Sequence, residues 1–209
     1  MLLVIDTALA ALSLALLDDD RVVASHHAVI GRGHAEALMT EVAALMTRSG
    51  VDRPDEIAVD IGPGSFTGLR IGIAAARALG LAWDIPVRGY SSLALVAAPH
   101  FAADKGLQHL AVVAEAGRGQ VFAQVIGRDL DGVTDARAMM PGEAAQWFDP
   151  ALPVAGPGAA QLAKLGRVML SDDWPDARQA SLLPPAVRAM PPVPIYVRPP
   201  DAVPLPTAA

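Results

Sequence analysis

"DIGPGSFTGLRIGIAAARALG", residues Asp60–Gly80, decides how this chain is read. It opens with a glycine-rich loop, Gly62–Gly68, and continues as a helix. Glycine loops before helices often hold phosphates, so the first question is what these glycines are for. The loop lacks the Gly-Lys-Ser/Thr ending of a P-loop, and no lysine reaches a terminal phosphate. It also lacks the Gly-x-Ser-x-Gly spacing of a nucleophile elbow. The plainest reading is a strand-to-helix turn with Ser65 or Thr67 as N-cap. The competing reading is an anion site at the helix N-terminus, contacted by Gly64, Ser65 and Thr67.

The helix that follows is more informative. Gly68, Gly72, Ala76 and Gly80 recur every four residues, so small side chains form one stripe. Glycine inside a helix costs roughly 1 kcal/mol against alanine, so something must compensate. Close backbone approach is the physical candidate. The stripe can serve packing on the protein's own sheet or on a partner's helix, and Ile71, Ala75 and Leu79 line a second face. Arg70 and Arg77, seven apart, share a face that suits solvent or an interface.

The rest of the chain frames this helix. Leu2–Ile5, Ala11–Leu17 and Arg21–Val29 read as three strands, with a turn at Asp18-Asp19-Asp20. His34–Ser49 is the clearest helix: Ala35, Leu38, Met39, Val42, Leu45 and Met46 fall on one face of a 3.6-residue period. Gly50 suits its C-terminal cap. A strand at Ile57–Ile61 leads into the glycine loop. Pro86–Tyr90 is a short strand, and Ser91 caps another short helix. Proline and glycine between Pro99 and Gly106 mark a lobe boundary. Beyond it come strands at Leu110–Ala114, Gln120–Ile126 and Thr134–Met139, then a helix at Glu143–Phe148. After Trp174 the chain is rich in proline and alanine. We expect a loosely held tail with one anchor at Ile195–Arg198, near a sheet edge.

Composition excludes several classes. The 209 residues carry a formal net charge of -6 and 53% apolar residues. No apolar run reaches the roughly 18 residues of a membrane span, so no membrane association is expected. No basic n-region opens the chain, so a signal peptide is not expected. There is no cysteine, which removes thiolate catalysis and thiolate metal sites, and a cytoplasmic address is the default. The acidic balance argues against a grip on nucleic acid by this chain alone. The five histidines show no His-Glu-x-x-His pattern, so no metal and no cofactor are expected. Asp6-Thr7 ends the first strand. An acid at that point can face a metal–nucleotide, but Ala8-Leu9-Ala10 lacks the glycine of a phosphate-gripping hairpin.

"GPGSFTGLRIGIAAARALG" resembles the signature of the TsaB (YeaZ-like) family. "LLVIDTA", "GRGHAEALMTEV", "VRGYSSL" and "PIYVR" follow in the family's order. The resemblance implies an α/β, actin/sugar-kinase/Hsp70-like (ASKHA) fold of two lobes, the second short. We assign residues 1–100 to the first lobe and 107–209 to the second, with its Pro-rich tail. It further implies a non-catalytic subunit in making threonylcarbamoyladenosine at position 37 of tRNAs that read ANN codons. Such a subunit binds the catalytic paralogue TsaD, helps recruit the ATPase TsaE, pairs with itself when TsaD is absent, and meets tRNA only through the complex. TsaD-like chains carry a His-x-x-x-His metal pair after the glycine-loop helix. The matching positions here are Ser92 and Val96, which supply no imidazole. The second lobe departs from the family: "AEAGRGQVF" places Glu115 and Arg118 where relatives carry Asp-Ala-Arg.

The expectation is therefore a partner surface on two helices, made of Leu38, Met39, Val42, Leu45, Met46, Gly68, Gly72, Ala76 and Gly80. No residue is expected to be catalytic. Asp6, Thr7, Gly64, Ser65 and Thr67 remain as possible vestigial nucleotide or anion contacts. An ATP-dependent kinase-like enzyme of the same fold is the alternative.

Overall fold

The structure is a computed structural model and describes residues 1–198. Residues 199–209 of the Pro-rich tail lie outside the described residues. Strands β1 (Leu2–Asp6), β2 (Ala11–Asp18) and β3 (Arg21–Val29) form an antiparallel meander, followed by helix α1 (His34–Ser49). Strand β4 (Glu56–Asp60), helix α2 (Phe66–Trp83) and strand β5 (Val87–Tyr90) make a parallel crossover unit. The first sheet has the order β3-β2-β1-β4-β5. Helix α3 (Ser92–Ala103) leads to strands β6 (His109–Gly117), β7 (Gln120–Gly127) and β8 (Arg137–Met139). Helix α4 (Pro141–Trp147), β9 (Val154–Ala155), α5 (Ala159–Ala163) and β10 (Met169–Ser171) complete a second sheet, ordered β10-β9-β6-β7-β8. A 3-10 turn spans Ala177–Leu182.

The strand pattern explains the layering. Side chains alternate across a sheet with period two. Leu3, Ile5, Leu12, Leu14, Leu16, Ile57 and Val59 therefore share one apolar cluster with Leu38, Val42 and Leu45 of α1 and Ile73 of α2. Their alternates Val4, Ala15, Leu17 and Ala58 face the other way. They join α3, the 3-10 turn, and Leu110, Val112, Phe122 and Ile126 of the second sheet in one shared core. Residues Ala111, Val113, Val121 and Ala123 point to α4 and α5. Both sheets are thus covered on both faces, and α3 lies between them. A helix that is apolar all round has no other stable place.

Some elements differ from the sequence reading. Helix α3 is longer than the short helix expected and runs through Pro99. Its uniformly apolar residues leave no periodic signal to mark its extent. Arg128 closes its C-terminal end, donating to the carbonyls of Phe101, Asp104 and Leu107 at 3.2, 3.0 and 2.7 Å. The tail is also held at more than one anchor. Met190 and Gly89 exchange backbone hydrogen bonds at the β5 edge, and the Ile195 amide donates to the Ile61 carbonyl at 2.7 Å. Ala177–Arg198 thereby returns to the first sheet and α2. Among the described residues, no helix is long and apolar enough to cross a membrane.

Candidate functional site

The glycine loop is a spacer between β4 and α2. The Ser65 hydroxyl caps the helix by accepting from the Gly68 amide at 3.3 Å. The Ser65 amide donates to the Ala8 carbonyl at 2.6 Å. A Cβ on Gly64 would lie 2.5 Å from that same carbonyl oxygen, so only glycine lets the two loops meet. The helical glycines repeat the theme. A Cβ on Gly68 would stand 2.1 Å from the Thr7 carbonyl oxygen, one on Gly72 2.4 Å from Thr7 Oγ1, and one on Gly80 2.3 Å from Val87 Cγ2. Thr7 Oγ1 donates to the Gly68 carbonyl at 2.8 Å, which locks α2 onto the end of β1.

This corrects the expected partner surface. Gly68, Gly72, Ala76 and Gly80 are buried against their own sheet, as are Leu38, Val42 and Leu45. A helix on a sheet must bury its own closest-packing stripe, and periodicity alone does not say which stripe that is. Of the residues expected to face a partner, Met39 is 47% exposed and Met46 half-buried. The outward side of α2 is instead formed by Arg70, Ala74, Arg77, Ala78 and Leu81, with Ile71 and Ala75 half-buried toward α1. Leu81 is 86% exposed. Helix α2 carries no acidic residue at all. An outward side on which alanine and leucine stand beside two arginines and no acid was the signal for this surface.

Between the lobes lies a cavity of about 760 Å³. Thr7, Ser65 and Thr67 line it, together with Arg32, Glu36, Glu115, Arg118, Trp174 and Arg198. Asp6 and Gly64 do not. Asp6 is wholly buried and faces Asp60, a residue the sequence reading did not single out. Asp6 Oδ2 and Asp60 Oδ2 are both buried without a hydrogen-bond partner, and burying two charged carboxylates side by side is costly enough that the pair retains a proton. Asp6 Oδ1 accepts from the Ala8 amide at 3.2 Å. Asp60 Oδ1 accepts from the Gly62 amide at 2.7 Å and the Ser92 hydroxyl at 3.0 Å. Burial first, and the Asp60 charge second, push Asp6 well above the usual carboxyl range. Burial raises Asp60 to about 6, against the opposing hydrogen bonds from Gly62 and Ser92. The pair ties the ends of β1 and β4 to the start of α3.

A pH dependence follows. Both carboxyls are raised in the folded state, so folding takes up a proton that the unfolded chain releases near 3.8. The stability it contributes is full below that value and is lost as pH rises through about 6 and beyond. The melting temperature should fall between about pH 5 and pH 8, and Asp6→Asn, whose amide supplies a permanent donor, should flatten the slope. A parent curve as flat as the variant's would disprove the retained proton.

Ser92 and Val96 stand one turn apart on α3. Ser92 is committed to Asp60 and to the Pro63 carbonyl at 2.9 Å, and Val96 is in the shared core. Among the described residues, no group of three or more His, Asp or Glu side chains is arranged to hold a metal ion.

Comparison with known proteins fits this architecture. Residues 8–183 match the family model for TsaD, tRNA N6-adenosine threonylcarbamoyltransferase. The tRNA threonylcarbamoyladenosine biosynthesis protein TsaB of Escherichia coli is 36% identical over 134 residues, 63% of this chain and 57% of that protein. The match thus spans little more than half of that relative's length. An uncharacterized protein of Mycobacterium tuberculosis is 35% identical over 208 residues, 97% of this chain and 94% of its own. The crystal structure of YeaZ from Pseudomonas aeruginosa superposes with a TM-score of 0.76 at 29% identity, covering 93% of this chain and 98% of that one. The paired five-stranded sheets with α3 between them are those of an actin/sugar-kinase/Hsp70-like protein. Within that class, the chain belongs to the TsaB (YeaZ-like) family, related to TsaD.

Proposed function

We propose that this chain is an auxiliary, non-catalytic subunit for forming threonylcarbamoyladenosine at position 37 of ANN-decoding tRNAs. In this reading it binds and supports a TsaD homologue, helps recruit a TsaE homologue, pairs with itself when TsaD is absent, and acts in the cytoplasm. It meets tRNA only through the complex. The division into lobes at 1–100 and 107–209 holds in this reading for the chain up to about residue 176, segment 177–198 crosses back onto the first lobe, and the first lobe supplies the pairing surface. The observation that carries the reading is the outward side of α1 and α2. There Met39, Ala74, Ala78 and Leu81 are exposed on neighbouring helices, an apolar surface that a partner would cover. Ser92 and Val96 support it from the chemical side, because neither offers a metal-binding imidazole where the catalytic paralogue has its pair. Asp6 is buried beside Asp60 rather than presented to the cleft, which weighs against the kinase-like alternative.

The test is to mix the purified chain with its TsaD homologue and measure complex mass by light scattering. A one-to-one complex is expected. The chain alone should make no threonylcarbamoyladenosine and hydrolyse ATP at background rate. Turnover by the isolated, metal-supplemented chain that Asp6→Ala abolishes would favour the kinase-like enzyme instead.

A further inference from the structure

Arg70 and Arg77 are the charges of α2, and both are held in place from outside the helix. The Arg70 guanidinium lies 3.6 Å over the centre of the Phe66 ring, and its Nε donates to the Tyr196 hydroxyl at 3.0 Å. Tyr196 in turn stacks on Phe66 with ring centres 4.9 Å apart. Arg77 Nη2 donates to the Pro192 carbonyl at 2.8 Å. The returning segment 190–198 thus acts as a strap along one flank of α2, and the arginines form a row between it and the apolar strip of Ala74, Ala78 and Leu81. Seven helical residues place the two about 10 Å apart along the axis. Among the described residues, no carboxylate pairs with either. Each guanidinium keeps donors beyond those its neighbours use.

We infer that the strap and α2 together form a basic rail beside the apolar strip, and that the rail selects a partner whose contacting surface carries carboxylates about 10 Å apart. This rests on the reading of the α1–α2 face given above. The chain as a whole carries a net charge of -6, yet this helix has two cations and no acid. A carboxylate partner would therefore meet attraction here and repulsion over much of the remaining surface, which fixes register and orientation. A second copy laid with α2 against α2 would bring arginines to arginines, so the rail disfavours that pairing. Fixing the guanidiniums beforehand lowers the ordering cost of binding. That gives the strap a role the sheet-edge contacts alone do not require.

The test measures the dissociation constant for the TsaD homologue by calorimetry, with melting temperature and self-association followed on the same samples. Arg70→Glu and Arg77→Glu should each weaken binding about fivefold to tenfold at unchanged melting temperature. Parent binding should weaken as salt rises from about 50 to about 500 mM, and the double reversal should lose that dependence. Tyr196→Phe keeps the ring and removes the acceptor, so it should weaken binding less than either reversal, again at unchanged melting temperature. If both reversals bind as the parent does while Leu81→Ser binds poorly, the rail is wrong and the face stands. If none of the three changes affinity, the face itself is wrong. Reversals that tighten binding, or that weaken self-association more than partner binding, would also overturn the rail.

Discussion

Replacing Gly68 with alanine is expected to lower the melting temperature by about 4–8 °C without touching any exposed surface. The added Cβ would stand 2.1 Å from the Thr7 carbonyl oxygen. That oxygen belongs to the backbone at the end of β1, so no rotamer change relieves the contact. Helix or strand must shift, and the Thr7 hydroxyl bond to the Gly68 carbonyl is strained with them. Overpacking of this kind costs up to about 3 kcal/mol, and alanine's better helix propensity returns about 1 kcal/mol at most. At about 2–4 °C per kcal/mol for a chain of this size, the remaining cost of about 2 kcal/mol gives the figure above. Gly72→Ala should cost less, because its Cβ would meet Thr7 Oγ1, a side-chain atom that can rotate at the loss of one hydrogen bond. Gly72→Leu should exceed Gly72→Ala, since Val59 Cγ2 lies 3.6 Å beyond. Thermal melts of the three variants rank them. A Gly68→Ala protein that melts like the parent but no longer pairs with TsaD would return the stripe to the surface and refute its packing role.

That ranking also shows what the sequence could and could not convey. The spacing of Gly68, Gly72, Ala76 and Gly80 announced a close approach correctly. It did not name the neighbour, because α2 is apolar or small on almost every side: Ile71, Ala74, Ala75 and Ala78 read as well as a buried face as do the glycines. Helix α1 is the opposite case. Its period is clear, yet Leu38, Val42 and Leu45 are simply the side that meets the first sheet. Strands β1 and β2 were legible as short apolar runs parted from β3 by the Asp18–Asp20 turn, and those runs carried the meander with them. The extent of α3 was not, since an all-apolar helix has no polar edge to count from. Asp60 was invisible for a different reason. A carboxyl at a strand end before a glycine reads as a turn former, and only the parallel pairing of β1 with β4 brings it to Asp6. The tail's prolines signalled irregular backbone. The contacts at Gly89 and Ile61 that hold the segment depend on distant residues, and no local pattern encodes them.

The outward side of α2 gives the second large effect. Leu81→Ser should weaken binding to the TsaD homologue at least about tenfold, with the melting temperature unchanged within error. Leu81 is 86% exposed, so the fold gains almost nothing from it. Burying a leucine under a partner contributes about 1.5–3 kcal/mol, and each 1.4 kcal/mol is a factor of about ten in affinity. Ala78→Trp tests the same strip by shape. Ala78 is exposed beside it, one helical turn after Ala74, and these small side chains leave the helix surface flat. A partner helix seated there at the usual close distance cannot accommodate an indole without moving away. The loss should therefore exceed that of Leu81→Ser. Both substitutions are neutral, so they leave the Arg70–Arg77 row and its salt dependence as they are. Self-association, followed by light scattering at the same concentrations, should weaken in parallel if both pairings use this face. Should Ala78→Trp and Leu81→Ser both bind TsaD as the parent does, the partner must dock elsewhere. The exposed Leu81 would then have no account in the fold, because it contributes nothing to the core of its own lobe.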